Sequence, residues 1–101
     1  MARERFQIEV EPQALEDLLW FRKHEHVRIR AEIAVQLLYQ PDKPSGKRKR
    51  LEPDGVAEWE LRIGQIRVFY DVNRAASSVT VVRVGYKERS KLLFRGEEHL
   101  S

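Results

Sequence analysis

The chain has 101 residues, enough for one domain with one core and no second one. Apolar residues make up 42% and charged residues 35%, with a net charge of +3, which describes a globular chain with a heavily charged surface. The absence of cysteine excludes disulfides, thiolate catalysis and cysteine metal sites. Three histidines, His24, His26 and His99, are too few and too poorly spaced for zinc, so neither metal nor cofactor is expected. No apolar run reaches the length of a membrane span, and the N-terminus has no signal-peptide core. The expected location is cytoplasmic, with no membrane partner.

Phe6, Ile8 and Val10 alternate with Gln7, Glu9 and Glu11, the period of a first strand. Pro12 then opens a helix, where its missing N–H is no loss. Ala14, Leu15, Leu18, Leu19 and Phe21 give that helix one broad apolar side, with Glu16 and Asp17 in its early turns. A second helix is predicted from about Glu25 to Tyr39, with Val27, Ile29, Ile33, Ala34, Leu37 and Leu38 as its stripe. The break near Arg22-Lys23-His24 reads as the corner of a helical hairpin, or as the kink of one long helix. His24-Glu25-His26 reads as the surface of that junction. Pro41 and Pro44 end the helix.

Residues 40 to 55 show no apolar period and read as a loop with Leu51 as anchor, closed by an Asp54-Gly55 turn. Lys43, Lys47, Arg48, Lys49 and Arg50 lie in this loop with no acid among residues 43 to 50. Such a run is either a solvated loop or a contact for a polyanion. The next segment alternates strictly: Ala57, Trp59, Leu61 and Ile63, then Ile66, Val68, Tyr70 and Val72. Gly64-Gln65 between them suits a two-residue turn. That turn sets Ile63 opposite Ile66, Leu61 opposite Val68, and Arg62 opposite Arg67. Like charges directly opposed cost some tenths of a kcal/mol. The pair makes sense where an anion shares the face.

Val79 to Val84 is the most strand-like segment, ended by Gly85. The tail holds Leu92, Leu93 and Phe94, and a short helix from about Glu88 to Phe94 is expected. These three residues either close the core edge or line an apolar groove for a partner helix. The order β-α-α-β-β-β plus a short C-terminal helix or tail is an α+β fold: an N-terminal strand and helical hairpin on a small antiparallel sheet.

With Trp59, Leu61, Val68 and Tyr70 toward the helices, the opposite face carries Glu58, Glu60, Arg62, Arg67, Phe69 and Asp71. Arg83 joins them if Val79 and Val81 share that side; Thr80, Val82 and Val84 make an equally apolar face. Two readings fit. One is a lattice of surface ion pairs, such as Glu60 with Arg62 and Arg67. The other is a phosphate site, since a guanidinium fork matches phosphate oxygens. Metal-free RNA cleavage needs such cations, a base such as Glu58 or Glu60, and an acid near Tyr86-Lys87.

Trp-Glu-Leu-Arg-Ile-Gly-Gln-Ile-Arg-Val-Phe-Tyr-Asp-Val (59–72), followed by Val-Arg-Val-Gly-Tyr-Lys-Glu-Arg-Ser (82–90), resembles the RelE/ParE superfamily of bacterial type II toxins. The first strand, the Pro-Gln-Ala-Leu-Glu-Asp-Leu helix start and the approach through Leu51 share the likeness. The resemblance implies a toxin held silent by a cognate antitoxin. RelE-like members are ribosome-dependent endoribonucleases acting on mRNA, and this branch is favoured; ParE-like members inhibit DNA gyrase without cleaving nucleic acid. An inactive member is the third reading. By resemblance, Arg67 falls on an arginine of the nuclease branch, Lys87 stands where that branch has an arginine, and Arg89 fits a second basic position. Glu58 and Glu60 replace two lysines, and Leu93 replaces a tyrosine. The implied catalytic set is Arg67, Lys87, Arg62, Glu60 and Glu58. The implied RNA contacts are Lys47, Arg48, Lys49, Arg50, Arg83 and Arg89, and Leu92, Leu93 and Phe94 would meet the antitoxin.

Overall fold

The structure is a computed structural model that describes residues 4–53 and 55–100. β1 (Gln7–Val10) leads into α1 (Pro12–Trp20), which starts on the expected proline. Phe21 and Arg22 are both extended, with ψ of 156° and 153°, so the chain turns a corner and does not run on as one kinked helix. α2 (Lys23–Leu37) follows at once, two residues earlier than the apolar stripe predicts.

The sheet holds β2 (Arg48–Arg50), β3 (Trp59–Ile63), β4 (Ile66–Asn73), β5 (Ser78–Glu88), β6 (Lys91–Phe94) and β7 (Glu97–Glu98), each antiparallel to its neighbour. β1 joins it parallel to the first half of β5, while β6 pairs with the second half. The expected register of β3 and β4 is present, with Gly64 at φ +60° supplying the turn.

Three details differ from the sequence reading. Residues 48–50 form an edge strand inside the expected loop, and Asp54 of the expected turn lies outside the described residues. The tail forms strands, not a helix. β5 runs through Gly85 to Glu88. Gly85 is needed for another reason: a Cβ there would lie 2.5 Å from the Leu93 carbonyl oxygen and 2.8 Å from the Phe94 ring.

One core lies between the helices and the sheet. Ala14, Leu18, Phe21, Ile29, Ile33 and Leu37 meet Trp59, Leu61, Val68, Tyr70, Val79, Val81 and Val84 there. Each fully buried side chain of leucine or valine size contributes about 1.5–3 kcal/mol. Trp59 and Tyr70 stack with centroids 6.2 Å apart, as core residues. The Tyr70 hydroxyl donates to the Pro41 carbonyl at 2.6 Å, and burial holds its pKa above the ordinary value. Leu15, Leu19 and Val27, expected on the apolar sides of their helices, are exposed instead.

A bulge settles the face of Arg83. Phe69 pairs with Arg83 and Tyr70 with Val81, so Val82 is an extra residue in β5. Val79, Val81 and Val84 therefore all enter the core, and Arg83 points to the opposite face.

Candidate functional site

The sheet face away from the helices, the outer face, collects the charged residues. Glu60 in β3 is buried between two arginines. Its Oε2 lies 3.3 Å from Arg62 Nε and its Oε1 3.9 Å from Arg67 Nε. Arg62 and Arg67 face each other across the ladder. Arg67 is anchored at its other end, where Nη1 donates to the Gly64 and Ile66 carbonyls at 2.7 and 3.0 Å. Its Nε is buried with no hydrogen-bond partner among the described residues. Arg62 is freer, its side chain 47% exposed. The expected ion-pair lattice is therefore present, with Arg62 open to solvent and Arg67, only 15% exposed, held against the backbone.

Lys49 pairs with Glu60 in the ladder and so shares this face. Lys87 lies two residues beyond Gly85, which is opposite Arg67, and its backbone N–H donates to the Gln65 carbonyl at 2.8 Å. Arg89, at φ +60°, occupies the tight turn from β5 to β6. Among the described residues, none of these three makes an ion pair.

Other candidates are engaged elsewhere. The backbone N–H of Glu58 donates to Asp71 Oδ1 at 2.8 Å, and its Oε1 accepts from Val72 N–H at 3.2 Å, so it closes the end of the ladder. The basic run is split by strand alternation. Lys47 pairs with Glu32 on α2 at 3.5 Å. Arg48 Nη1 donates to the Gln36 side chain at 2.8 Å, and the Arg50 guanidinium lies 5.6 Å from the Trp59 ring centroid. Only Lys49 of β2 reaches the arginine face.

Arg83 is on the outer face but fixed. Its Nε donates to Asp17 Oδ2 at 2.7 Å and its Nη2 to Oδ1 at 3.2 Å. Asp17, fully buried, also accepts from Val84 N–H at 3.0 Å, and Arg95 Nε lies 3.1 Å from it. Phe94 lies over Arg83, with 4.0 Å from guanidinium to ring centroid, and packs on Phe69 at 5.8 Å. Of the tail residues, Phe94 closes the outer face, Leu92 pairs with Lys87 on it, and Leu93 pairs with Tyr86 on the helix side. Asp17 was missed as a partner, although its position on the arc of Ala14, Leu18 and Phe21 was a readable signal.

The sequence from residue 8 to 90 matches the model of the ParE toxin of the type II toxin–antitoxin system parDE. The chain belongs to the ParE toxin family. No curated protein matches it. Solved structures give the same fold. The RelBE2 toxin–antitoxin complex from Mycobacterium tuberculosis aligns at 19% identity and TM-score 0.66, over 82% of this chain and 99% of the other. The archaeal RelE–RelB complex from Pyrococcus horikoshii aligns at 19% and 0.62, over 84% and 98%. The isolated RelE toxin of E. coli aligns at 18% and 0.64, over 84% and 87%. This family member thus has an outer face on which Arg83 and Arg67 are largely covered and Arg62 is open to solvent.

Proposed function

We propose that this toxin is a metal-independent, ribosome-dependent endoribonuclease acting on mRNA in the cytoplasm, silenced by a cognate antitoxin. The observation that carries the reading is Glu60 held between Arg62 and Arg67, on the face that also bears the unpaired Lys49 and Lys87. An RNA phosphate on this face would meet the half-exposed Arg62 guanidinium, with Arg67 and Glu60 beside it. Glu60 then takes the proton of the 2′-hydroxyl, whose oxygen attacks the adjacent phosphorus. The P–O5′ bond breaks, Lys87 protonates the departing 5′-oxygen, and a 2′,3′-cyclic phosphate remains. Arg62 and Arg67 stabilise the charge on the non-bridging oxygens. Lys49 and Arg89 hold flanking phosphates, a contact that weakens with salt. The two relatives solved with an antitoxin support the antitoxin as partner.

A second reading, a non-catalytic inhibitor of DNA gyrase, is favoured by the ParE description of the matching family model. Primer-extension mapping of mRNA ends after induction, run beside a gyrase supercoiling assay, separates the two. Codon-phased cuts that vanish in Glu58→Gln/Glu60→Gln support the nuclease with a carboxylate base. Cuts that persist in that double variant remove the carboxylates from the mechanism. Intact mRNA with blocked supercoiling establishes the inhibitor, and neither effect marks an inactive member.

A further inference from the structure

One side of β5 is shared by two strands, β1 on its first half and β6 on its second. α1 fills the interval between them, with Asp17 on the Val84 N–H. Beside that interval a cavity of about 440 Å³ opens, with Gln13, Arg83, Phe94, Arg95, Glu97 and His99 in its lining. Strand alternation brings several of these groups to one face. Phe94 pairs with Glu97 across the β6–β7 ladder, and the His99 N–H donates to the Leu92 carbonyl at 2.8 Å. Directly opposed residues share a face, so Glu97 and His99 point outward with Phe94 and Leu92. The Phe94 ring meets the His99 ring edge-on at 5.5 Å. Glu60 pairs with Phe69, and Phe69 with Arg83, so Arg83 stands two strand spacings, about 10 Å, from Glu60 along the same row.

Hydrogen-bonding capacity in the cavity is unevenly used. Both arginines are engaged, Arg83 by Asp17 and Arg95 by Glu16 and Asp17. Among the described residues, Glu97 and its neighbour Glu98 make no ion pair, although both share the cavity with those arginines. The lining therefore holds two guanidinium groups and two carboxylates, and the charges balance. A phosphate gains nothing from such a lining. A neutral, planar, polar ligand does, because donors and acceptors stand around ring surfaces.

We infer that this cavity receives one base of the mRNA, and that Glu97 makes it select guanine. The inference rests on the nuclease reading above. A carboxylate accepts both hydrogens of the guanine Watson–Crick edge, on N1 and N2, at once. Adenine and cytosine each set a ring-nitrogen lone pair beside their one amino group, and uracil flanks its N–H with two carbonyl oxygens. All three turn a lone pair toward the acid. A base splayed out of a single strand is read along this edge, and the His99 ring braced by Phe94 is the surface on which it stacks.

The test uses ribosomes programmed with mRNAs that differ in one base of the decoded codon, incubated with the purified chain and mapped by primer extension. Guanine at one codon position should be cut at least about tenfold faster than adenine there, as one good bidentate base contact allows. Glu97→Gln should reduce that ratio to within about twofold, since an amide cannot accept both hydrogens. Glu88→Gln, an equal charge change at the β5–β6 turn, should keep the full ratio. His99→Ala should lower the ratio and His99→Phe restore it. Cutting without guanine preference at any position overturns the base pocket while the nuclease reading stands, as does a preference that survives Glu97→Gln. A preference for another base that disappears in Glu97→Gln overturns the choice of guanine. No cutting by the wild-type chain removes both readings.

Discussion

The two halves of the outer sheet face use arginine in opposite ways. Toward the tail, Arg83 is held by fully buried Asp17 and covered by the Phe94 ring. Toward the edge strand β2, Arg62 leans on Glu60 with nearly half its side chain in water. An ion pair whose acid is fully buried costs several kcal/mol when one partner is removed, because the other is left uncompensated. A pair whose cation is half in water, and whose acid keeps a second cation, costs at most about 1 kcal/mol. Both arginines lean on buried acids, so what marks a binding residue is how far the arginine itself stays open to solvent.

Asp17→Ala should break the closed half outright. It strands Arg83, frees the Val84 N–H and releases Arg95, for a loss of about 3 kcal/mol or more and a Tm lower by over about 12 °C in a calorimetric scan. Gly85→Ala attacks the same half by crowding. Its Cβ must displace Phe94 and Leu93, at about 1–3 kcal/mol in urea denaturation, and amide exchange at residues 92–94 should accelerate. Arg62→Ala should reverse the pattern, changing stability by less than about 1 kcal/mol while abolishing growth inhibition on induction. Normal toxicity in this variant would erase the contrast between the halves.

The smallest effect comes from outside both halves. Hydrogen bonds from Arg74 hold the Asp42 pKa below its ordinary 3.8. The pair's contribution is complete above that value and disappears as pH falls through the lower folded value. At this exposed site solvent screens the pair, and Arg74→Ala should flatten that part of the acid limb of an unfolding titration.

The β3–β4 hairpin was legible because alternation and a glycine turn point to one register, which also put Arg62 opposite Arg67. β2 was not, because Arg48, Lys49 and Arg50 alternate between faces while belonging to one residue class. Their common charge concealed three destinations: α2, the outer face and the Trp59 ring. The tail was too short to show a period, so Leu92, Leu93 and Phe94 read as one patch although they divide between two faces. The acids of α1 read as helix-start residues; the arc that Asp17 shares with Ala14, Leu18 and Phe21 signals burial, but not the strand 66 positions later that it reaches.

The extra residue at Val82 gives this part of the chain one position of slack that a regular strand lacks. Upstream of it the odd-numbered residues Val79 and Val81 face the helices; downstream the even-numbered Val84 does. Removing Val82 would close the bulge and return β5 to strict alternation, with Val81 and Val84 still inward and Arg83 and Lys87 still outward. Removing Gly85 has no such escape: Tyr86 would turn outward and Lys87 inward. The strand therefore bears shortening at one position and not three residues further on.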